Sequence, residues 1–282
     1  MSVERVTYAD SRVYINNILL TGISSCDINT TREFEPLDSL SSLGIQNRII
    51  KSDQKPQVTI SWILGEGSSD PFFDFETQGI LSVENFNIKK KDILGTSEVK
   101  SGFLTSYSLE GSVGSLITAT AEYQGNDFDI DPFNKLEIGN QTQDYYKTFI
   151  PSKIELSSNF EEGDIFSFPI QSFQLTVPIE RKTIKIVGDL YGEYRYPILP
   201  ANATISFSAI KNDITGLDFS KIVLEKGNFQ IKMQACDEAN EKTYSINGCS
   251  LVGVSESLSV EEKALINFEY ASSITGNSFY IT

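Results

Sequence analysis

The stretches "QVTISW" (57–62) and "NATISF" (202–207) are nearly the same strand written twice in one chain of 282 residues. If they belong to two copies of one domain, further matches must follow in the same order at nearly constant separation. They do. "NFNIKK" (85–90) meets "NFQIKM" (228–233) at an offset of 143, and Pro56 meets Pro200 at 144. Thr59-Ile60-Ser61 meets Thr204-Ile205-Ser206 at 145, Gly102 meets Gly248 at 146, and Glu122-Tyr123 meets Glu269-Tyr270 at 147. The collinear series predicts an internal duplication, with domains at 1–137 and 138–282.

The matched segments read as strands. In "VTISWIL" (58–64) and "ATISFSAI" (203–210), β-branched and aromatic residues alternate with small polar ones, the two-residue period of a half-buried strand. "VYINNILL" (13–20) reads as two short strands about Asn16-Asn17, residues that accept the positive φ of a tight hairpin turn. "FSFPIQSFQLTVPI" (166–179) and "RKTIKIVG" (181–188) are further strand patterns, and 12 Tyr with 18 Phe add sheet propensity. "SVEEKALINFEY" (259–270) is rich in helix formers. It nevertheless matches "SVGSLITATAEY" (112–123), so a turn at Glu261–Lys263 and a strand at Leu265–Tyr270 are expected.

Each half is expected to hold one short helix. Asp70-Pro71 offers an N-cap followed by proline at the first helical position, and Asp213 precedes "ITGLDFSKIVLEKG". Phe72, Phe75 and Ile80 in the first half, and Leu217, Ile222 and Val223 in the second, would then face a sheet. The expected fold class is mainly β: two similar β-sandwich or barrel domains, each with one short flanking α-helix. "GNDFDIDPFNKLEIGNQTQDYY" (125–146) reads as a linker. Residues 29–57 form a long loop of the first domain, and connections of that length in compact domains tend to be functional.

Composition removes several function classes. The chain has no histidine, which excludes a Ser-His-Asp or Cys-His nucleophile and any His-ligated metal. Cys26, Cys236 and Cys249 are odd in number and widely spaced, which fits free, buried or half-buried thiols rather than a disulfide framework or a zinc site. Against 38 acidic residues stand 23 basic ones, a net charge of −15, which leaves little to replace the counterions of duplex DNA. No apolar run reaches the roughly 18 residues of a membrane span. "MSVERVTYADSRV" lacks the apolar segment of a signal peptide.

Single motifs add little chemistry. Asp127, Asp129 and Asp131 alternate as in a calcium loop, but the sixth and twelfth positions, which need Gly and Glu, are Pro132 and Ile138. Lys89-Lys90-Lys91 reads as a solvated strand end. Gly65-Glu66-Gly67 lacks the lysine of a phosphate loop. Trp62 lies inside a strand pattern, has the equally apolar Phe207 as its repeat partner, and reads as core rather than as a sugar platform. No catalytic, cofactor-binding or metal residue is assigned, and an enzyme is not expected. A glycosidase built on paired carboxylates and a β-sandwich adhesin or carbohydrate-binding protein are the rival classes.

The order of segments in each half is a strand region, a long connection ("REFEPLDSLSSLGIQNR" in the first), a TIS strand, a short helix, an NF-x-IK strand and a final hairpin ending in Glu-Tyr. That order resembles the tail-tube proteins of tailed bacteriophages and related injection machines. The resemblance implies six such domains closed into a ring whose inner strands form a barrel lumen. For a chain with two domains it implies a homotrimer with a pseudo-sixfold ring; a homohexamer is the alternative. It further implies a structural protein of the virion tail, assembled in the host cytoplasm, whose stacked rings form a channel that DNA passes without specific binding. Tail sheath, tape-measure and baseplate proteins would be further partners, and no cofactor or membrane is implied. Carry-over to residues is limited to the loop Arg32–Lys55, in which Arg32, Phe34, Leu37, Leu40, Leu43, Ile45 and Arg48 would meet the next ring. Tail hub and distal-tail proteins share the fold and stay open as alternatives. An acidic lumen repels phosphate, and a charge of −15 agrees with that.

Overall fold

The computed structural model describes residues 11–15, 18–31, 34–38, 45–50, 55–65, 79–87, 92–125, 127–131, 149–150, 156–159, 165–167, 170–184, 194–211, 227–235, 241–257, 264–274 and 279–281. The protein is mainly β. In the first half run β1 (Ser11–Ile15), β2 (Ile18–Leu19), β3 (Ile23–Thr31), β4 (Phe34–Asp38), β5 (Ile45–Ile50), β6 (Lys55–Ile63), β7 (Gly79–Asn87), β8 (Asp92–Ser112), β9 (Thr118–Gln124) and β10 (Asp127–Asp131). In the second run β11 (Phe149–Ile150), β12 (Leu156–Asn159), β13 (Ile165–Ser167), β14 (Ile170–Pro178), β15 (Arg181–Ile184), β16 (Tyr194–Pro197), β17 (Ala201–Ile210), β18 (Gly227–Ala235), β19 (Glu241–Ser257), β20 (Leu265–Ile274) and β21 (Phe279–Ile281).

Eight strands pair antiparallel in one sheet, in the order β3-β6-β9-β8-β14-β17-β20-β19. The seam between the halves is the β8–β14 pairing, which runs from Ser106↔Pro178 to Ser112↔Ser172. The two longest strands leave this sheet at their N-terminal ends. There β8 pairs with β7 and β10, and β1 continues beyond β7. Likewise β19 pairs with β18 and β21, and β12 continues beyond β18. The hairpins β4–β5 and β15–β16 stand apart from these sheets.

Strand order and irregularities recur. The ladder β3–β6 slips between Ile23 and Ser25, and β14–β17 slips between Ile170 and Ser172, an offset of 147. The ladder β8–β9 slips between Leu104 and Ser106, opposite Glu122-Tyr123. The ladder β19–β20 slips between Leu251 and Gly253, opposite Glu269-Tyr270, at the same offset. A bulge carries one unpaired residue and fixes the register around it. The sequence matches at smaller offsets are therefore slipped. By pairing, Thr59 (opposite Glu122) corresponds to Ser206 (opposite Glu269), and Ile60 corresponds to Phe207. Trp62 corresponds to Ala209, not to Phe207. The NF-x-IK match is slipped further: Leu81, opposite Val99, stands where Phe229 stands opposite Ile246. The even-numbered slip of the TIS match keeps side chains on their correct faces, which is why the pattern stayed readable.

The core follows from alternation. On β9 burial switches residue by residue, with Ala119, Ala121 and Tyr123 inward. Val58, Ile60 and Trp62 on β6, Tyr107 and Leu109 on β8, Leu175 and Val177 on β14, and Ile205 and Phe207 on β17 face the same way. These side chains form a single cluster with residues of both halves. The buried Tyr107 hydroxyl donates to the Tyr244 hydroxyl across the halves at 3.5 Å. Phe207 stacks on Phe268 with ring centroids 5.0 Å apart, and Phe229 meets Tyr270 at 4.4 Å. Each such large apolar side chain contributes roughly 1.5–3 kcal/mol on burial.

Several expectations change. Residues 127–131 are not linker: β10 pairs with Thr96–Lys100 of β8, and Phe128 packs on the core. The alternation of Asp127, Asp129 and Asp131 with Phe128 and Ile130 is that of a strand, which the count of acidic residues concealed. The long connection is shorter at both ends than 29–57, since Asn29–Thr31 pair with Lys55–Gln57, and it contains the β4–β5 hairpin. Ile80 lies in β7 and not in a helix. Both expected helices, with Asp70, Phe72, Phe75, Asp213, Leu217, Ile222 and Val223, lie outside the described residues, as do Asn16-Asn17, Lys89–Lys91, Cys236, Glu261–Lys263 and the boundary at 137–138. Leu265–Tyr270 is strand, as the match to 118–123 predicts.

Candidate functional surface: an acidic sheet face

The side of the eight-stranded sheet opposite the core is mostly polar, with Ile63, opposite Thr118, and Ile210, opposite Leu265, as apolar positions on it. Directly paired residues share a face, so its rows can be followed strand by strand. One row runs Ser25, Ser61, Thr120, Ser108, Thr176, Thr204, Ala271 and Ser250, crossing the seam between the halves. A second runs Thr118, Glu110, Gln174, Ser206, Glu269 and Gly253. A third runs Ser112, Ser172, Ser208, Asn267 and Ser255. In the first half, Asp27, Thr59, Glu122 and Ser106 form a fourth.

Cross-strand hydroxyl contacts tie the rows together. Ser61 Oγ and Thr120 Oγ1 are 2.9 Å apart, and Ser172 Oγ and Ser208 Oγ are 2.6 Å apart. Over the seam the rows line an open cleft of about 630 Å³, with Glu110, Ser112, Ser172, Gln174 and Ser206 in its wall. The charged residues in these four rows are Asp27, Glu110, Glu122 and Glu269, all exposed and all carboxylates. No lysine or arginine lies in them. A phosphate-rich polymer would meet hydroxyls and negative charge here, with no cation to replace its counterions.

The opposite side offers little reactivity. Burial, and secondarily the charge of Asp27, pushes the Cys26 thiol up to about 12. Burial does the same to Cys249, against a smaller opposing hydrogen bond with Ser272. Both thiols are protonated at neutral pH and are poor nucleophiles. Among the described residues no group of three His, Cys, Asp or Glu side chains is arranged to hold a metal ion.

The expected contact residues fall on the first hairpin: Phe34 and Leu37 on β4, Ile45 and Arg48 on β5. Arg32, Leu40 and Leu43 lie outside the described residues. The second hairpin occupies the matching place in the chain, and sequence reading gave it no role. Its root is held by Arg181, whose Nε donates to the Leu104 carbonyl at 2.6 Å and whose Nη1 donates to the Arg195 carbonyl at 3.0 Å. Both guanidinium groups sit over the Phe103 ring, at 5.2 and 5.9 Å from its centroid. Burial, then the neighbouring Arg195 charge, lowers Arg181 to about 10.

Comparison with known proteins gives this chain no family. No protein-family model matches it, and no curated protein sequence matches it. The functional reading therefore rests on the sheet itself. Sequence reading missed the polar face, although its signal was present: in "SYSLEGS", "TATAEY" and "ATISFS" every polar position of the alternation is Ser, Thr or Glu and none is Lys or Arg.

Proposed function

We propose that this chain is an internally duplicated structural subunit of a phage tail tube, assembling with copies of itself into stacked rings around a DNA channel. The observation that carries the reading is the polar face that spans both halves, whose four rows hold carboxylates and no lysine or arginine, Lys55 standing opposite Thr31 at the margin of the face. A wall that conducts DNA must not hold it, and hydroxyls with scattered carboxylates meet that demand. The recurrence of strand order and bulges at one constant offset favours two equivalent domains, so three chains would supply six. Strand number bears on the bore. A closed barrel of about eight strands fills with its own side chains, whereas one of roughly 16–18 already leaves an aqueous channel. Among the described residues nothing pairs β3 with β19, so one copy leaves its sheet open. Closure with further copies would turn the polar face onto a water-filled bore and remove both edges, which otherwise invite uncontrolled pairing.

The test is negative-stain electron microscopy of the purified protein, with mass photometry across concentration. Rings or tubes built from trimers are expected. Single particles of one chain at high concentration would overturn the reading, and rings of six chains would overturn the trimer.

A further inference from the structure

The seam inside the chain is a ladder with which its two outer edges can be compared. β14 meets β8 along Ser106↔Pro178, Ser108↔Thr176 and Glu110↔Gln174. By the offset that relates the bulges, the counterpart of β14 is β3 and that of β8 is β19. Among the described residues β3 and β19 are the two edges of the sheet. The side chains beside the internal seam are sealed: Tyr107, Leu109, Leu175 and Val177 are fully buried. Their counterparts on the edges are not. Val254, at the place of Tyr107, is 44% exposed, and Ile28, at the place of Leu175, is half-buried. The difference is what removing a neighbouring strand from each edge would produce.

We propose that β19 of one copy pairs antiparallel with β3 of a second copy, in the register Gly253↔Thr31, Ser255↔Asn29 and Ser257↔Asp27. This rests on the reading of the chain as a ring-forming subunit and supplies the contact that closes the ring. In this register the polar rows continue across the junction, because Thr31, Asn29 and Asp27 meet Gly253, Ser255 and Ser257. Val254 meets Thr30 on the other side. Glu256, held by an ion pair with Lys211 of its own chain, meets Ile28. A slip of one residue would set Asp27 against Glu256, opposing like charges, and would turn each row to the wrong face.

The test is oxidative cross-linking of the full-length protein carrying Asn29→Cys with Ser255→Cys. A second pair is Asp27→Cys with Ser257→Cys, and all four altered positions are exposed. Non-reducing gels should show covalent dimers and trimers from both. The wild type, each single variant and the slipped pair Asn29→Cys with Glu256→Cys should give roughly tenfold less, since thiols on opposite faces cannot meet disulfide geometry. Circular dichroism checks that the variants fold. Rings in the microscope without cross-links would overturn this register and leave the tube reading standing. Cross-links without rings would establish the edge pairing and overturn the tube reading. Neither product would overturn both.

Discussion

Gly111 sits at the seam, directly opposite Phe173. A Cβ at this position would stand 2.6 Å from Cε1 and 3.1 Å from Cζ of Phe173, and 3.3 Å from Cγ1 of Ile117. Favourable carbon contacts begin near 3.5 Å, so Gly111→Ala requires the ring to move by about 1 Å. The ring has little room to do so. Phe173 is 3% exposed, its other neighbour across the sheet is the buried Phe207, and Ile117 is fully buried. Overpacking of a filled core costs about 1–3 kcal/mol. Restricting the unfolded chain offsets roughly 0.4–1 kcal/mol of that. The expected result is a net loss of about 1–2 kcal/mol in urea unfolding.

Phe173→Leu in the same assay separates a clash from a general intolerance of the site. Alone it destabilises by opening space beside Gly111. Combined with Gly111→Ala, the new methyl group occupies part of that space. The double variant should then be more stable than the sum of the singles by at least about 0.5 kcal/mol, the coupling expected of residues in contact. Gly111→Ala at wild-type stability, with strict additivity in the pair, would refute the view that this seam is closely packed.

Two further outcomes follow from named groups. Cys26 and Cys249 are both pushed up to about 12 by burial, and burial raises Tyr270 as well. Below about pH 9 both thiols are protonated in folded and unfolded chains alike; above it the unfolded chain ionises first, so stability should fall by up to about 1.4 kcal/mol per pH unit per thiol until pH nears 12. Urea unfolding at pH 8, 9.5 and 11 checks this, Cys249→Ala should flatten the slope, and a pH-independent stability would contradict it. Glu122→Lys with Glu269→Lys, both exposed, should leave folding within about 0.5 kcal/mol of wild type yet let the protein retain duplex DNA in a low-salt gel shift and release it as salt rises. A variant that binds no more DNA than wild type would show that the face does not govern access.

How much of this was legible in the sequence depends on the kind of signal. Strands with strict alternation, such as Thr118–Gln124 and Ala201–Ile210, were readable because one face is buried and the period of two leaves no choice of side. The helix formers within 259–270 did not mislead over Leu265–Tyr270, where pairing with Ile205–Ile210 overrides propensity. Register was not readable. Short identical strings pulled the two halves into slightly wrong alignment, whereas the bulges at Ser24 and Thr105 and their counterparts Gln171 and Val252, which set the register, have no shared residue type. The seam was not readable either. Nothing in "YSLEGS" announces that Gly111 lies under Phe173, because that contact joins residues far apart in the chain.

In the proposed ring the two kinds of junction would differ in their physics. The β8–β14 contact is intramolecular, so its partner strand is present at an effective concentration set by the chain and independent of dilution. The proposed β19–β3 contact joins separate copies and must offset the loss of translational and rotational freedom on association, several kcal/mol at the usual standard state. One ladder geometry would thus be made twice in each repeat of the ring, once unconditionally and once only above a threshold concentration of subunits. Side-chain size differs between them in the same sense. The internal seam carries Phe173 over Gly111, and the counterpart of Phe173 on the open edge is the smaller Cys26. A seam that never opens can hold a large ring against a glycine, because the two never have to find each other. An edge that must form by encounter would gain from flatter, smaller groups such as Ser25, Asp27, Asn29 and Thr31.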